Sequence, residues 1–489
     1  MASYLWEPLP PEVKAIFCAT LDRVGKNHDL WVKYYGQTHD LKEAIAKLER
    51  RVQDLEKALV AKEKELEIAR RAEKRQAAPF SKGPPKANPR RPGRPKGHPP
   101  AYRPVPEHVD ETVEVPLCSC PDCHEAVSPD RREEQFIEDL EIRKVVRRLV
   151  IESGYCERCQ RRVRNTHPAQ LSQAGGAAKV QVGEQALALA TELKHRLGIP
   201  YRKIVELFGQ HFGLRLTAGG LVQAGQRLAR RLEPTHRSLL EAMRTSSVCH
   251  ADETGWKIGG HNAWLWVFTN AQHTVYAVSR GRGQEVVRDV LGDNYQGTLV
   301  SDCFVAYDSL PWAKAKCLGH IIHELSELLA VKKGPARAFL RESLELFRRA
   351  MHLKTQKSRL KPSAYMAQAT LLEKRLNGLL LRTLTEPDNI RLANRFRKQR
   401  PHLLRFLYHD EVEPTNNRAE RALRPAVIAR KLSGCNRTEA GAQMHEVLAS
   451  LAVTCRQQGL SFAELVRSAL SLDPGRPPWR FPLVPRPPT

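Results

Sequence analysis

The sequence predicts a multidomain α/β protein, and three observations carry that reading. At 489 residues the chain is too long for one ordinary core, and domain-size priors give about three or four domains. Between residues 246 and 302 the pattern alternates as strands do, with one helix among them. Before and after that stretch, helical periodicity and paired cysteines dominate.

Charge and cysteine usage narrow the partners. Lys and Arg total 79 against 54 Asp and Glu, a formal charge of +25, which points to a polyanion and first of all to nucleic acid, although a generally basic, ribosome-like protein would share it. No run of about 18 apolar residues occurs, and the start, MASYLWEPLPPEV, lacks a basic region followed by an apolar stretch, so neither a membrane span nor a secretion signal is expected. Eleven cysteines, four of them in paired C-x2-C spacing, fit a reducing cytosol and a metal site better than a disulfide framework.

Residues 1–37 read as a short helical segment and 38–79 as a coiled coil. Leu41, Ile45, Leu48, Val52, Leu55, Leu59, Leu66 and Ala69 recur in alternating steps of four and three, interrupted by Lys62, which gives a heptad seam and predicts a homo-oligomer. Residues 80–104 hold eight prolines, seven Lys or Arg and no acid, a composition that cannot bury a core. Within them Arg91-Pro92-Gly93-Arg94-Pro95-Lys96 is AT-hook-like, with Arg91, Arg94 and Lys96 placed for a narrow minor groove; a solvated linker has the same composition.

Residues 105–170 are expected to bind zinc. Cys120 and Cys123, then Cys156 and Cys159 after 32 intervening residues, make two C-x2-C turns that complete one tetrahedral site, as in a zinc ribbon, with Cys118 an alternative ligand. Alternation from Phe136 to Ile151 predicts a β-hairpin between them. Residues 171–245 read as helices with turns at Gly198-Ile199-Pro200 and His211-Phe212-Gly213, an order compatible with a DNA-binding helix-turn-helix or with plain packing.

Residues 246–322 carry the chemistry. Strands are predicted over Ser247–Ile258, Ala263–Thr269 and Thr274–Val278, then a helix over Gln284–Leu291 and a strand over Gly297–Ser301 ending in Asp302. That β-β-β-α-β order is that of a ribonuclease-H-like core, in which Asp252 and Asp302 fall on neighbouring strands. Period-two alternation sends His250, Asp252 and Thr254 to one face and Glu253 to the other, making Glu253 the weaker metal candidate. After a basic helical stretch from 323 to 410, residues 411–450 bring Asn416-Asn417-Arg418-Ala419-Glu420-Arg421, where Asn416, Glu420 and Arg424 share one helical face. Three carboxylates holding two Mg2+ or Mn2+ ions would suit phosphodiester displacement, with Arg421, Arg424, Arg430 and Lys431 close by for phosphates. Residues 451–489 form a closing element and tail.

At these residues the chain resembles the insertion sequence 66 family of bacterial transposases. The likeness rests on His250-Ala251-Asp252-Glu253-Thr254, on Ser301-Asp302 with Ala306-Tyr307, on Cys317-Leu318-Gly319-His320, and on Asn417-Arg418-Ala419-Glu420-Arg421-Ala422-Leu423-Arg424-Pro425 with Arg430-Lys431 beyond. It covers roughly residues 40–470. The resemblance implies Asp252, Asp302 and Glu420 as the catalytic triad, a helical insertion in the 117 residues between Asp302 and Glu420, and a supporting role for Cys317 and His320. It also implies double-stranded DNA as substrate, accessory proteins from the same element, and a cytoplasmic, nucleoid-associated site of action. Where the family carries a basic pair, this chain has Ile322-His323. A regulator that keeps the acids without cutting, or a metal-dependent nuclease, would share most of these features.

Overall fold

A computed structural model describes residues 10–74, 103–128, 131–140, 142–165, 167, 170 and 180–470, in two units that divide after Pro100. The first holds α1 (Pro11–Lys74), a single 64-residue helix. The break expected near residue 37 is absent: Gly36 lies inside the helix, and one interior glycine costs only about 1 kcal/mol, less than nucleating a second helix. Ile45, Leu48, Val52, Leu55 and Leu59 of the heptad seam are exposed along it. The side chains of Leu41, Leu66 and Ala69, and all of Arg91, Arg94 and Lys96, lie outside the described residues.

The second unit begins with irregular chain and one small hairpin, β1 (Ser153–Cys156) against β2 (Arg161–Arg164). This corrects the hairpin expected over Phe136–Ile151, whose described residues form no strand. Ile137, Leu140, Val146 and Val150 stay exposed there, so the alternation faces no core. Pairing goes instead to the tight turn through Cys156 and Cys159, helped by Gln160 at φ 50°. Next come α2 (Glu184–His195), α3 (Tyr201–Phe212) and α4 (Ala218–Arg244). The predicted turn at residues 211–213 closes on Gly213 in the left-handed conformation at φ 59°, and Thr217 caps α4 by accepting from the Gly220 N–H at 3.0 Å.

The central sheet follows the predicted order closely. β3 (Val248–Ile258), β4 (His261–Thr269) and β5 (Thr274–Ser279) form an antiparallel meander, turned between β3 and β4 by Gly259 and Gly260 at φ 59° and 86°. The helix α5 (Gln284–Leu291) crosses to β6 (Thr298–Ser301), which lies parallel to β3. A short helix α6 (Val305–Asp308) leads to β7 (Ala313–Lys316), giving the order β5-β4-β3-β6-β7. Neither α6 nor β7 was expected.

Alternation along β3 then decides what each face buries. Cys249 and Ala251, with Trp266 and Phe268 of β4, pack on α4, α5, α12 (Glu439–Gln457) and α13 (Phe462–Leu470). Trp256 and Ile258, with Leu265, Val267 and Tyr276, meet Ala419, Ala422, Leu423 and Ala426 of α11 (Asn417–Ser433) on the opposite face. Between β7 and α11 the chain forms α7 (Leu318–Val331), α8 (Ala336–Thr355), α9 (Pro362–Leu380) and α10 (Pro387–Leu403). Proline starts α9 and α10, so the helical stretch folds back on itself rather than running on. It buries its own core, joined to the sheet through Val248, Val300 and Ala315. Among the described residues no helix is long and apolar enough to cross a membrane.

Candidate active site

Asp252 lies within β3 and Asp302 immediately after β6, at matching positions relative to the parallel ladder between the two strands. The ladder between β3 and β6 last pairs His250 with Val300, and each aspartate lies two residues further along its own strand direction. Asp252 Oδ1 accepts from the Glu253 N–H at 2.9 Å, while Asp302 Oδ1 accepts from the Phe304 N–H at 2.9 Å, which fixes the chain as it leaves β6. Lys316 of β7, fully buried, anchors that exit by donating to the Asp302 carbonyl oxygen at 2.9 Å and pairing with Asp308 at 3.2 Å. Among the described residues neither aspartate carries an ion pair.

Glu420 reaches the same face from the first turn of α11. Three attachments set that helix. Asn416, just before it and fully buried, donates from Nδ2 to the Ala251 carbonyl oxygen at 2.7 Å. Its Oδ1 therefore faces His250 Nδ1 at 3.2 Å, which makes Nδ1 the protonated ring nitrogen. Its main-chain N–H points to Cys317 Sγ at 3.1 Å. Cys317, also buried, donates its own N–H to the Ser301 carbonyl oxygen at 2.8 Å, so α7 starts from the end of β6.

The charges of these groups act on one another. Burial, and after it the charges of Glu253, Asp302 and Glu420, push the Asp252 carboxyl up to about 7. His320, one turn into α7, is pushed up to about 9 chiefly by its hydrogen bond with Cys317 and further by the charges of Glu420 and Asp302, leaving it protonated at neutral pH. Its Nε2 lies 3.7 Å from Glu420 Oε1. Ligand atoms of Cys317, His320 and Glu420 all lie within 4.8 Å of one another; Asp252 and Asp302 stand outside that group.

A profile of the family described as Transposase IS66 family matches residues 179–444, more than half of the chain. The chain belongs to the IS66 transposase family. A protein of Sinorhizobium fredii that bears the name uncharacterized protein y4qI is 27% identical over 344 residues, which are 61% of this chain and 62% of that relative. The chain thus spans less than two thirds of the length of this relative.

Within this IS66 transposase sequence the remaining candidates divide clearly. Glu253 points away from Asp252, into the opposite face, where its side chain is only 2% exposed. There it accepts from Tyr307 Oη at 2.6 Å and from Arg282, whose guanidinium lies 4.1 Å from the rings of both Trp264 and Phe304. Arg421 and Arg424 are exposed, whereas Arg430 turns inward and donates to Thr254 Oγ1 at 3.2 Å and to the Gly255 carbonyl oxygen of β3. Lys431 is half-buried beside it.

The cysteines come together in pairs. Cys120 is held below the usual thiol range mainly by the Cys123 N–H, and Cys156 mainly by the Cys159 N–H, as in turns that present thiolates to a metal. The two pairs are not among the ligand groups gathered within 4.8 Å. Lys316 was not anticipated as part of the site, and Asn416, expected on one helical face with Glu420 and Arg424, lies just before the helix instead. A lysine buried on a strand has no sequence signature.

Proposed function

We propose that this protein is a three-carboxylate DNA transposase that cleaves strands at the ends of an insertion sequence and transfers the freed 3′-hydroxyl to target DNA. The observation that supports this reading is the matching place of Asp252 and Asp302 at the ends of the β3–β6 ladder, with Glu420 on the helix that packs against β3 and its charge felt at Asp252. The strand order, with a crossover helix, Asp252 on β3 and Asp302 just past the end of β6, supports a ribonuclease-H-like core interrupted by α7–α10.

The donor set fits hard cations. Three oxygen ligands, two of them without a compensating cation among the described residues, suit Mg2+ or Mn2+. Two such ions, held by Asp252, Asp302 and Glu420, would activate the attacking oxygen and offset phosphate charge. The chain itself supplies placement: Lys316 holds the end of β6, Asn416 holds α11, and Arg421 and Arg424, exposed and close after Glu420 on the same helix, would meet phosphates. Hydrolysis frees a 3′-hydroxyl and leaves a 5′-phosphate; attack of that hydroxyl on a target phosphodiester forms one bond and releases one 3′-hydroxyl.

The upstream segments fit the same reading. Cys120, Cys123, Cys156 and Cys159 would hold one structural zinc, the seam on α1 would pair copies of the chain, and α3–α4 with the basic linker would bind double-stranded DNA. The protein would act on the bacterial nucleoid, with accessory proteins of the same element. Strand transfer of a labelled 3′-hydroxyl end into plasmid DNA tests the proposal. Asp302→Asn and Glu420→Gln should abolish it with DNA affinity kept within a few-fold, since the phosphate-binding cations remain. Cutting without joining would make the protein a nuclease, and binding without any metal-dependent cutting would make it a regulator.

A further inference from the structure

We infer that Cys317, His320 and Glu420 form a binding site for a zinc-class divalent cation, distinct from the acidic pair yet drawing on the same glutamate. Three donor types converge from two helix starts: a thiol at the N-cap of α7, an imidazole one turn later, and a carboxylate in the first turn of α11. Their ligand atoms lie within 4.8 Å of one another. Bond lengths of about 2.1 Å at a tetrahedral angle put a zinc-bound nitrogen and oxygen about 3.4 Å apart. The 3.7 Å between His320 Nε2 and Glu420 Oε1 is already near that spacing, so only a small inward movement is needed.

Chemistry selects the ion. A sulfur donor beside an imidazole favours zinc-class cations over magnesium, which takes oxygen. The sulfur also has outer-shell support, because the Asn416 N–H points at Cys317 Sγ from 3.1 Å, an interaction that helps a metal-bound thiolate keep its charge. Burial grades across the site: Cys317 is closed off, while the His320 and Glu420 side chains are 58% and 43% exposed. The solvent side is thus open to a fourth ligand, as in zinc sites that exchange water or substrate. Both helix starts are pinned, α7 by Ser301 and by the Pro414 carbonyl oxygen, which accepts from Leu318 N–H at 2.9 Å. The ion would therefore clip α7 to α11. Because it shares Glu420, it would also compete with the acidic pair for that carboxylate, a consequence that rests on the proposed function where the site itself does not.

The test is cobalt binding by the full-length chain, without DNA or magnesium. Wild type should take up one more equivalent of Co2+ than Cys317→Ser or His320→Ala, with a matching loss of sulfur-to-cobalt absorption in Cys317→Ser, and Glu420→Gln should weaken that equivalent at least about ten-fold. His320 is exposed, so its substitution leaves the fold intact even if Cys317→Ser does not. Equal stoichiometry and affinity in wild type and His320→Ala would overturn the inference. Strand transfer is measured separately: its loss alone speaks against the transposase reading, and absence of the extra cobalt alone speaks against this site.

Discussion

Asn416 donates to the carbonyl oxygen of Ala251 at 2.7 Å, joining the residue before the Glu420 helix to the residue before Asp252. An asparagine at a helix start ordinarily caps its own first turn, yet here no side-chain cap bond forms. The amide is spent between elements instead, on Ala251 and His250, while its N–H goes to Cys317. One buried side chain thus sets the angle at which α11 meets β3.

Removing that amide should be felt both in stability and in chemistry. Asn416→Ala leaves the Ala251 carbonyl and the His250 ring unpaired in a buried place, which costs about 2 kcal/mol. Denaturant unfolding should show this loss, and DNA cleavage per folded molecule should fall more than ten-fold as Glu420 loses its placement. Unchanged cleavage in a destabilised variant would reduce Asn416 to a packing residue.

Glu253 gives the opposite expectation, although it adjoins Asp252 in sequence. Glu253→Ala strips the carboxylate from Tyr307 and Arg282, a loss of about 2 kcal/mol once the exposure of Arg282 is allowed for. Cleavage per folded molecule should stay within a few-fold, because the side chain faces away from the acids. A stable variant that cannot cut would instead make Glu253 a metal ligand.

These contrasts show where the sequence is legible. The strands and α5 were readable because each has a strong period and a clear turn, as at Gly259-Gly260, and α5 begins and ends where expected at Gln284 and Leu291. β7 was not, since Ala313-Lys314-Ala315-Lys316 has low strand propensity and gains its place only by pairing with β6. The Phe136–Ile151 alternation misled for the converse reason, a strand-like pattern with no core to cover. Among the candidate residues, the neighbouring places of Asp252 and Asp302 followed from strand order, while Glu420 was singled out by its motif and helical face. The joint placement of Cys317, His320 and Glu420 depends on where α7 and α11 start in space; Cys317 and His320 were expected only in a supporting role.

Asp252 ties the proposed metal site to stability through pH. Its carboxyl rises from an ordinary 3.8 to about 7 on folding, so the native state holds a proton that the unfolded chain has lost. That contribution is complete below about pH 4 and disappears as pH climbs through 7, a difference of at most about 4 kcal/mol. Asp252→Asn, which cannot ionise, should therefore melt above wild type at pH 8 and alongside it at pH 4. Magnesium at pH 8 should raise the wild-type Tm and leave that of the variant alone. If magnesium shifted both equally, the ion would be bound elsewhere.

Glu446 provides the same titration away from any proposed ligand. It sits on α12 and accepts from the Val278 N–H, but burial outweighs that bond and pushes its carboxyl up to about 7. Its stabilising contribution is present below about pH 4.5 and lost as pH rises through 7, by at most about 3 kcal/mol. Glu446→Gln keeps an acceptor for Val278 and cannot ionise, so its Tm should exceed that of wild type at pH 8 and match it near pH 4. Magnesium should raise the Tm of Glu446→Gln as much as that of wild type, in contrast to Asp252→Asn. A Tm for Glu446→Gln below wild type at pH 8 would mean that the glutamate is ionised in the folded protein and held by a partner stronger than one main-chain N–H.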